Sequence, residues 1–523
     1  MMICSLIGFK TKLQWFILTI EYIFLIIGFT MKLLPLQRIC CLFLLLTSIT
    51  FSQQLRGTWI ARNTLTTKAT LAAAMDSLAA NNFNVVYINC WSRGYPLWQS
   101  DVFFQETGVK IDPTYGNRDI LAEAIAEGHR VGLLVEAWFE YGFVGGWTGN
   151  VPAGQKGPIF NTHPDWVAKK SDGGEMDGSS FYWMSHTNPA AQNFLIAMAT
   201  EIARNYDIDG IELDRIRYSS LEYGYDDYTV NLYKSEHGGS APPSSGSDAS
   251  WMRWRADKLN QFAARAYDSI KAINTKLTVS NAPGHYSSSS YSAYNSFLQD
   301  WMWWVDNNKV DYVSVQMYVT SATTFSSYID YALSQVTNDS KVFPSLAIIA
   351  GGNTITDQTL TDMLNSTTNK GLSGNAFWYY TDLISRFPYI KKYHYSSKIH
   401  TPFASANWRE NYAVTPHTDA TNAVKTGSWI GSASAGYSGN SIYTNSSAPA
   451  AIDYYATVPV SGIYEVYLFT VVSSNRTTAA QATVFHAGGS TLKSINQTLS
   501  QNERWYKLGD FSLSAGRNKI VTV

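Results

Sequence analysis

From Leu55 onward, short β-rich runs alternate with polar loops and segments of helical spacing. Eight runs predict strands: Gly57 to Arg62, Asn84 to Trp91, Arg130 to Glu140, Asp209 to Arg217, Leu277 to Pro283, Val310 to Tyr318, Val342 to Ile349 and Asn375 to Tyr380. The clearest helices between them are Lys68 to Ala80 behind a Thr67 cap, Asp119 to Glu127, Pro189 to Tyr206 with proline in the first turn, and Met252 to Ile273. Phe297 to Asn308, Ser326 to Gln335, Asp357 to Asn365 and Leu383 to Tyr393 complete the set. This alternation predicts a (β/α)8 barrel with insertions, whose chemistry sits at the C-terminal strand ends. An open doubly wound sheet is the competitor, but no strand-to-helix turn carries a dinucleotide or P-loop glycine pattern. The stretch from Ser219 to Ser250 contains GGSAPPSSGSDAS and predicts a mobile loop over the site. After Thr401 the helical spacing stops. Alternating runs such as Ile463 to Phe469 and Ala482 to His486, and a closing run Asn518 to Val523, predict a smaller all-β sandwich domain.

The N-terminus has a different texture. Residues 14 to 29 and 39 to 51 are apolar runs, and the sequence from Met31 has a basic start, an apolar run and small residues before Gln53. That is the pattern of a secretory signal peptide cleaved near Ser52. Residues 14 to 29 are short for a membrane anchor and contain Glu21. The expected organisation is a leader over 1–52, a barrel over 53–402 and a sandwich over 403–523, in a bacterial protein that is secreted or placed in the cell envelope. Loss of Cys4, Cys40 and Cys41 with the leader leaves Cys90 alone, so no internal disulfide is expected. A net charge of -1 from 39 basic and 40 acidic residues argues against nucleic acid or an anionic membrane surface as partner. The 17 Trp and 33 Tyr suit a carbohydrate partner as well as a core. The oligomeric state is not legible.

Candidate chemistry follows from strand parity. In IDGIELDRIRY (Ile208 to Tyr218), Glu212 and Asp214 project from one face while Ile211, Leu213 and Ile216 supply apolar bulk. On the third strand Glu136, Trp138 and Glu140 share a face opposite Val135, Ala137 and Phe139. The acids therefore face the barrel axis. The structural alternative is a salt-bridged strand end, with Arg215 and Arg217 answering Glu212 and Asp214, and Arg62 or Arg93 answering Glu136. Asp209 shapes the start of strand four. The nine histidines are scattered without ligand spacing, so no metal and no cofactor is expected.

The segments RGTWIAR (Arg56 to Arg62), NVVYINCWSRGYPLWQSDVF (Asn84 to Phe103), EAWF (Glu136 to Phe139), HPDW (His163 to Trp166), Asn188 to Tyr218 and YVSVQMY (Tyr312 to Tyr318), in this order, resemble the glycosyl hydrolase-like family 10 proteins. The resemblance implies an exported barrel that hydrolyses a polysaccharide, with peptidoglycan glycan strands among the substrates. Thr418 to Tyr443, Gly462 to Phe469 and Val484 to Gly489 resemble the golvesin C-terminal-like domain, a module found beside polysaccharide-processing domains. A glycan-binding role and a purely structural role are equally open for it.

Glycoside hydrolysis needs one ionised and one protonated carboxyl. Asp214, at the end of strand four, is the expected nucleophile or base, with Glu136 or Glu212 as the acid. Glu136 or Glu140 could stand across from Asp214 on the neighbouring strand, roughly 4.8 Å away. Two departures from the resembled family matter: Arg215 stands where relatives often carry a second Asp, and Glu136 where they often carry His. The chitinase-type pattern is likewise broken, because Ile216 stands at the proton donor's place. Asn89, Trp91, Arg93, Tyr95, Trp98, Trp138, Glu140, Asn281, Gln316, Tyr318 and Trp378 are expected to line the cleft for sugar hydroxyls and ring faces. Strands five to eight offer only neutral inward groups, Asn281, Gln316, Tyr318 and Tyr379. That scarcity supports the second hypothesis, a non-catalytic glycan-binding protein.

Overall fold

The computed structural model describes residues 53–286, 292–403, 413–437, 439–445 and 448–523. The predicted leader and its three cysteines lie outside the described residues. Eight parallel strands close a barrel: β1 (Leu55–Ile60), β2 (Val85–Asn89), β3 (Leu134–Trp138), β4 (Gly210–Glu212), β5 (Thr278–Asn281), β6 (Tyr312–Gln316), β7 (Val342–Ala347) and β8 (Gly374–Trp378). Each follows its predecessor around the ring, and β8 pairs with β1. The helices that cover them are α1 (Lys68–Ala80), α2 (Ile120–Arg130), α3 (Pro189–Asn205), α4 (Ala249–Ile273), α5 (Trp301–Asp306), α6 (Ala322–Leu333), α7 (Asp357–Asn369) and α8 (Phe387–Tyr393).

Local chemistry starts the helices where the sequence predicts. Thr67 caps α1 by accepting from the Thr70 amide, in a reciprocal capping box. Asn188 caps α3 and Pro189 fills its first turn, where no intrahelical N–H bond is lost. The Asp248 carboxylate accepts the Ser250 and Trp251 amides and begins α4 three residues earlier than the spacing predicts.

Period-two burial divides the barrel into two cores. Leu55, Trp59, Val85, Tyr87, Leu134, Trp138, Tyr312, Phe343 and Ala376 fill the interior, while Ile60, Val86, Ile88, Val135, Ala137, Ile211, Val279, Val313 and Leu346 face the helices. The chain returns beneath the N-terminal ends of the strands. Gln54 N–H donates to the His400 carbonyl at 2.8 Å, Arg56 NH1 to the Ser397 carbonyl at 2.7 Å, and Asn84 Nδ2 to the Ile399 carbonyl at 3.1 Å. Phe403 then stacks on Tyr312 with centroids 4.2 Å apart and meets Phe343 edge-on, forming the floor of the interior core.

The stretch 219–250 departs from its expectation as a mobile loop. A helix, Asp227–Glu236, occupies its middle. Arg255 of α4, fully buried, donates to the carbonyls of Leu221, Tyr223 and Gly246 and so pins both ends of the insertion. Glycine and serine here fit turns around that guanidinium.

Beyond the barrel come β9 (Ala423–Thr426), β10 (Ile430–Ala435), β11 (Asn440–Tyr443), β12 (Ala451–Val458), β13 (Gly462–Thr470), β14 (Ala480–His486), β15 (Gly489–Ile495), β16 (Arg504–Leu513) and β17 (Gly516–Thr522). A five-stranded antiparallel sheet in the order β9-β12-β17-β14-β15 and the pair β13-β16 contribute Ala482, Val484, Ile495 and Val521 on one side and Val466, Leu508 and Phe511 on the other to one core. This is a small sandwich. It docks on the barrel through charge. Glu127 of α2, buried, accepts from Arg130 Nε and from Arg504 Nε, each at 2.7 Å, and Lys68 Nζ donates to the carbonyls of Gln501 (2.9 Å) and Glu503 (2.6 Å). Among the described residues no helix is long and apolar enough to cross a membrane.

The floor gives a direct test. Phe403→Ala removes the ring that seals the interior core, and we expect a loss of about 2 kcal/mol, below the usual cost of a fully buried phenylalanine because the ring is only half-buried. Urea unfolding of the two proteins measures it; an unchanged midpoint would mean that the ring does not contribute to the core.

Candidate active site

The site is built where β3 and β4 leave the sheet. Pairing of β3 with β4 sets Glu136 beside Gly210 and Trp138 beside Glu212, so the inward acids lie in successive layers. Glu136 is the deepest. Its Oε1 accepts from Thr278 Oγ1 and lies 2.7 Å from the Tyr312 hydroxyl, and its Oε2 accepts from Ser280 Oγ at 2.8 Å. Burial raises its pKa to about 7 against the pull of these hydroxyls. Gly210 is required here: a Cβ at that position would stand 1.9 Å from Thr278 Oγ1 and 2.8 Å from the Glu136 carboxyl carbon. Neither expected arginine answers Glu136: Arg62 pairs with Asp112 at 2.7 Å and Arg93 lies over the Trp147 ring at 4.2 Å.

Glu212 forms the next layer and is fully buried. Trp59 Nε1 donates to its Oε2 at 2.5 Å, while Oε1 has no hydrogen-bond partner among the described residues. Burial, with the neighbouring Asp214 and Glu136 charges adding to it, raises its pKa well above the ordinary carboxylate range. Sheet pairing ends at Glu212, shorter than the predicted strand to Arg217, because the chain turns. Arg215 adopts a left-handed φ of 49°. The turn crosses Gly142, φ 43°, so closely that a Cβ there would meet the Asp214 carbonyl at 2.4 Å.

Asp214 stands at the outer end of this stack. Its Oδ1 accepts the Arg215 amide at 2.6 Å and its Oδ2 accepts Trp138 Nε1 at 3.2 Å. Burial raises its pKa, and Arg215 and Arg217 oppose that rise. Glu140, two residues past β3, accepts from Asn89 Nδ2 and stands 3.7 Å from Arg215 NH2. Burial lifts it to about 7, against Arg215 and with Asp214 adding to the rise. Arg215 is thus placed between the mouth carboxyls and does not pair with Glu212. Asp209 acts at the start of β4, accepting the Val135 amide at 2.7 Å and lying 2.8 Å from His129 Nε2.

Around the acids stand Trp59, Trp138, Trp378 and Tyr318, with Trp378 ring centroids 5.7 Å from Trp138, 6.1 Å from Trp59 and 5.9 Å from Tyr318. Asn89 Oδ1, Asn281 Oδ1, Tyr318 OH and Arg93 Nε are buried with no hydrogen-bond partner among the described residues. Asn281 Nδ2 is occupied by the Leu213 carbonyl, and Gln316 Nε2 by the Ala282 carbonyl at 2.7 Å. Such orphaned polar atoms among aromatic faces suit a polar, ring-bearing ligand.

Three expected cleft residues belong elsewhere. Trp91 is fully buried against Phe103 and Phe194, and its Nε1 donates to the Gly142 carbonyl at 2.9 Å. Trp98 donates to Glu201 at 2.9 Å and packs on Phe139, and Tyr95 packs on Phe103. All three follow β2 after the chain has turned outward toward α3, so their aromatic character serves the helix-side core. Conversely, Trp59, Thr278, Ser280 and Tyr312 take part in the acid stack and were not singled out. The inward parity of β1, β5 and β6 is the signal that finds them.

The family model of Glycosyl hydrolase-like 10 matches residues 54–373. The chain belongs to this family. The Golvesin C-terminal domain matches residues 413–523. The chain is similar to Glycosyl hydrolase DigH of Escherichia coli K12, 22% identical over 321 residues, covering 53% of this chain and 68% of that protein. It is also similar to Glycosyl hydrolase YngK of Bacillus subtilis, 26% identical over 236 residues, 42% of each chain. Among solved structures, the PgaB (BpsB) glycoside hydrolase domain from Bordetella bronchiseptica superposes with a TM-score of 0.48 at 12% identity, over 65% of this chain and 97% of that one.

The buried acids carry a signature in stability. A carboxyl whose folded pKa exceeds its unfolded value holds a proton that the unfolded chain has released, so stability falls as pH rises between the two values. For Glu136 that window runs from its ordinary 4.5 to about 7. Glu136→Gln should flatten the decline of unfolding free energy across this window by roughly 1 kcal/mol per pH unit. Urea titrations at successive pH values compare the slopes; parallel slopes would show that Glu136 titrates as it does in the unfolded chain.

Proposed function

We propose that this chain is an exported glycoside hydrolase acting on a polysaccharide, with peptidoglycan glycan strands the first substrate to test. One observation carries the proposal: Asp214 and Glu140 stand together at the C-terminal mouth of the barrel, above the buried Glu212 and inside an aromatic wall with orphaned polar atoms. Membership of a hydrolase-like family and the names of the E. coli and B. subtilis relatives support the same class.

In this proposal Asp214 is the ionised carboxylate that attacks the anomeric carbon or activates water there. Arg215 and Arg217 and the two N–H donors favour its charged form, and Trp138 fixes its orientation. Trp378 and Tyr318, half-buried, offer ring faces for the sugar, and Asn89, Asn281 and Arg93 offer its hydroxyls polar partners. Glu212 and Glu136, the two acids expected as proton donor, form the layers beneath: Glu136 has both oxygens committed to hydroxyls, and Glu212 is sealed under Trp59 and Trp138. The Asp214 charge raises the proton affinity of Glu212 below it.

The assay is release of reducing ends from peptidoglycan strands, chitin-type and plant polysaccharides by wild type and Asp214→Asn. We expect the variant to lose at least about a hundredfold in kcat/KM with its melting temperature retained. Unchanged activity would remove Asp214 from the chemistry. Retention of an uncleaved glycan in a pull-down, with wild type inert on every substrate, would establish the non-catalytic glycan-binding function instead.

A further inference from the structure

We propose that Glu140 is the acid that protonates the leaving oxygen of the glycosidic bond, acting from the end of β3 across the barrel mouth from Asp214. The inference rests on the hydrolase function above and chooses Glu140, which strand parity set across from Asp214 but which was expected to bind substrate, over Glu136 and Glu212, the acids expected to donate the proton.

The argument begins with reach. Of the four clustered acids, Glu136 and Glu212 belong to strands, whereas Glu140 and Asp214 lie two residues beyond the ends of β3 and β4. The two chain segments stay in contact past those ends. Phe139 N–H donates to the Glu212 carbonyl at 2.9 Å, and Gly142 touches the Asp214 backbone. Glu140 and Asp214 are therefore flanking residues of adjacent segments at the mouth. The Glu140 side chain keeps 13% of its surface exposed, against 0% for the whole of Glu212 and 1% for Glu136. A sugar bond arriving from solvent meets Glu140 and Asp214 before either buried acid.

Next comes protonation. The groups that face Glu140 come from three strand ends: Arg62 after β1, Arg93 after β2, and Asp214 with Arg215 after β4. Three cations would ordinarily keep a carboxyl ionised at neutral pH. Burial overrides them and brings Glu140 to about 7, the range in which a carboxyl can both give and regain a proton. The placement of its partners agrees. Asn89 Nδ2 holds Oε2, and the separation of 3.7 Å between Oε1 and Arg215 NH2 is too long for a hydrogen bond. One oxygen is oriented by its amide partner and the other is left for the proton.

The step balances without a co-reactant other than water. The Glu140 proton passes to the glycosidic oxygen, which leaves with the electron pair of the broken C–O bond as an alcohol. The anomeric carbon takes the Asp214 oxygen, or a water oxygen whose proton Asp214 accepts. In the first course water then attacks the anomeric carbon and gives a proton to Glu140, while the bond from that carbon to Asp214 breaks and its electron pair leaves with the Asp214 carboxylate. In the second, Glu140 and Asp214 return to their starting states by exchange with solvent. The net reaction is hydrolysis in both.

Loss of an acid donor has a kinetic signature that misfolding does not share. With the full chain and the polysaccharide identified in the panel above, Glu140→Gln should lower kcat/KM at least about a hundredfold. On the dinitrophenyl glycoside of the released sugar, whose leaving group needs no proton, it should stay within roughly tenfold of wild type. In the course through an Asp214 ester, Glu140→Ala, with space for a small anion, should be accelerated by sodium azide and yield a glycosyl azide. Equal loss on both substrates without azide rescue, or no loss on either, overturns the assignment. The spared-aryl and azide pattern in Glu212→Gln or Glu136→Gln in place of the Glu140 variants transfers the role to that residue and overturns it too. A wild type inert on every polysaccharide and aryl glycoside sinks the hydrolase function and this inference together; an active wild type with unaffected Glu140 variants sinks this inference alone.

Discussion

A carboxyl group inside a closed barrel has no water to solvate it, and the interior of this barrel is organised around that constraint. Glu136 projects among Tyr87, Leu134 and Tyr312 in the apolar interior layer. Leaving its charge unpartnered there would cost several kcal/mol. Among the described residues no arginine pairs with it. Hydroxyl groups from β5 and β6 answer it instead, and Gly210 leaves the volume that the carboxyl and Thr278 occupy. Ser280, Ser314 and Tyr312 are the polar side of the same arrangement, and the Tyr87 ring closes it by lying where a Cβ of residue 57 would stand 2.9 Å away.

From that base the stack grades upward from full burial to partial exposure. Glu136 and Asp214 both raise the proton affinity of Glu212, which lies between them, and charge is cheapest at the mouth, where Arg215 and Arg217 and two N–H donors act on Asp214. The left-handed turn at Arg215 makes this possible, because it takes the chain out of the sheet just after Glu212 and points the Asp214 carboxylate at its neighbour's amide. Behind the turn His186 is stacked on Tyr218 at 3.8 Å and lies 3.0 Å, through Nε2, from the Arg217 carbonyl. Burial lowers its pKa to about 3, so it is a neutral ring and adds no charge to the balance. Backbone strain at Arg215 is held by packing around it.

Much of this was legible from period two. Parity placed Glu136, Trp138, Glu212 and Asp214 on the inward side because a strand residue has only two directions available, and eight runs of the right spacing were enough to predict the ring. Parity ceases to inform once the chain leaves the sheet, which is why Trp91, Tyr95 and Trp98, two to nine positions beyond the β2 end, were expected in the cleft and lie in the helix-side core. The hydroxyls of β5 and β6 escaped notice for a different reason: serine, threonine and tyrosine are too common for their type to mark a site, and only the position of Glu136 gives them a role. Composition misled at 219–250, since Arg255 lies outside the stretch whose carbonyls it holds.

The same rule of answering buried charge governs the second domain. Glu127 is nearly inaccessible, and its two oxygens accept from an arginine of its own helix and an arginine of the sandwich. Removing Arg504 would leave one of the two Glu127 oxygens without its arginine, and a half-satisfied buried carboxylate is costly. Lys68 directs its ammonium at backbone carbonyls around Ser500 to Glu503, an arrangement that depends on the sandwich backbone and not on any single side chain. The sandwich is therefore held to α1 and α2 by buried polar contacts as well as by its covalent link. A glycan engaged by the sandwich would meet a barrel whose placement these contacts hold, so any help it gives to hydrolysis would come through a set geometry and not through a flexible tether.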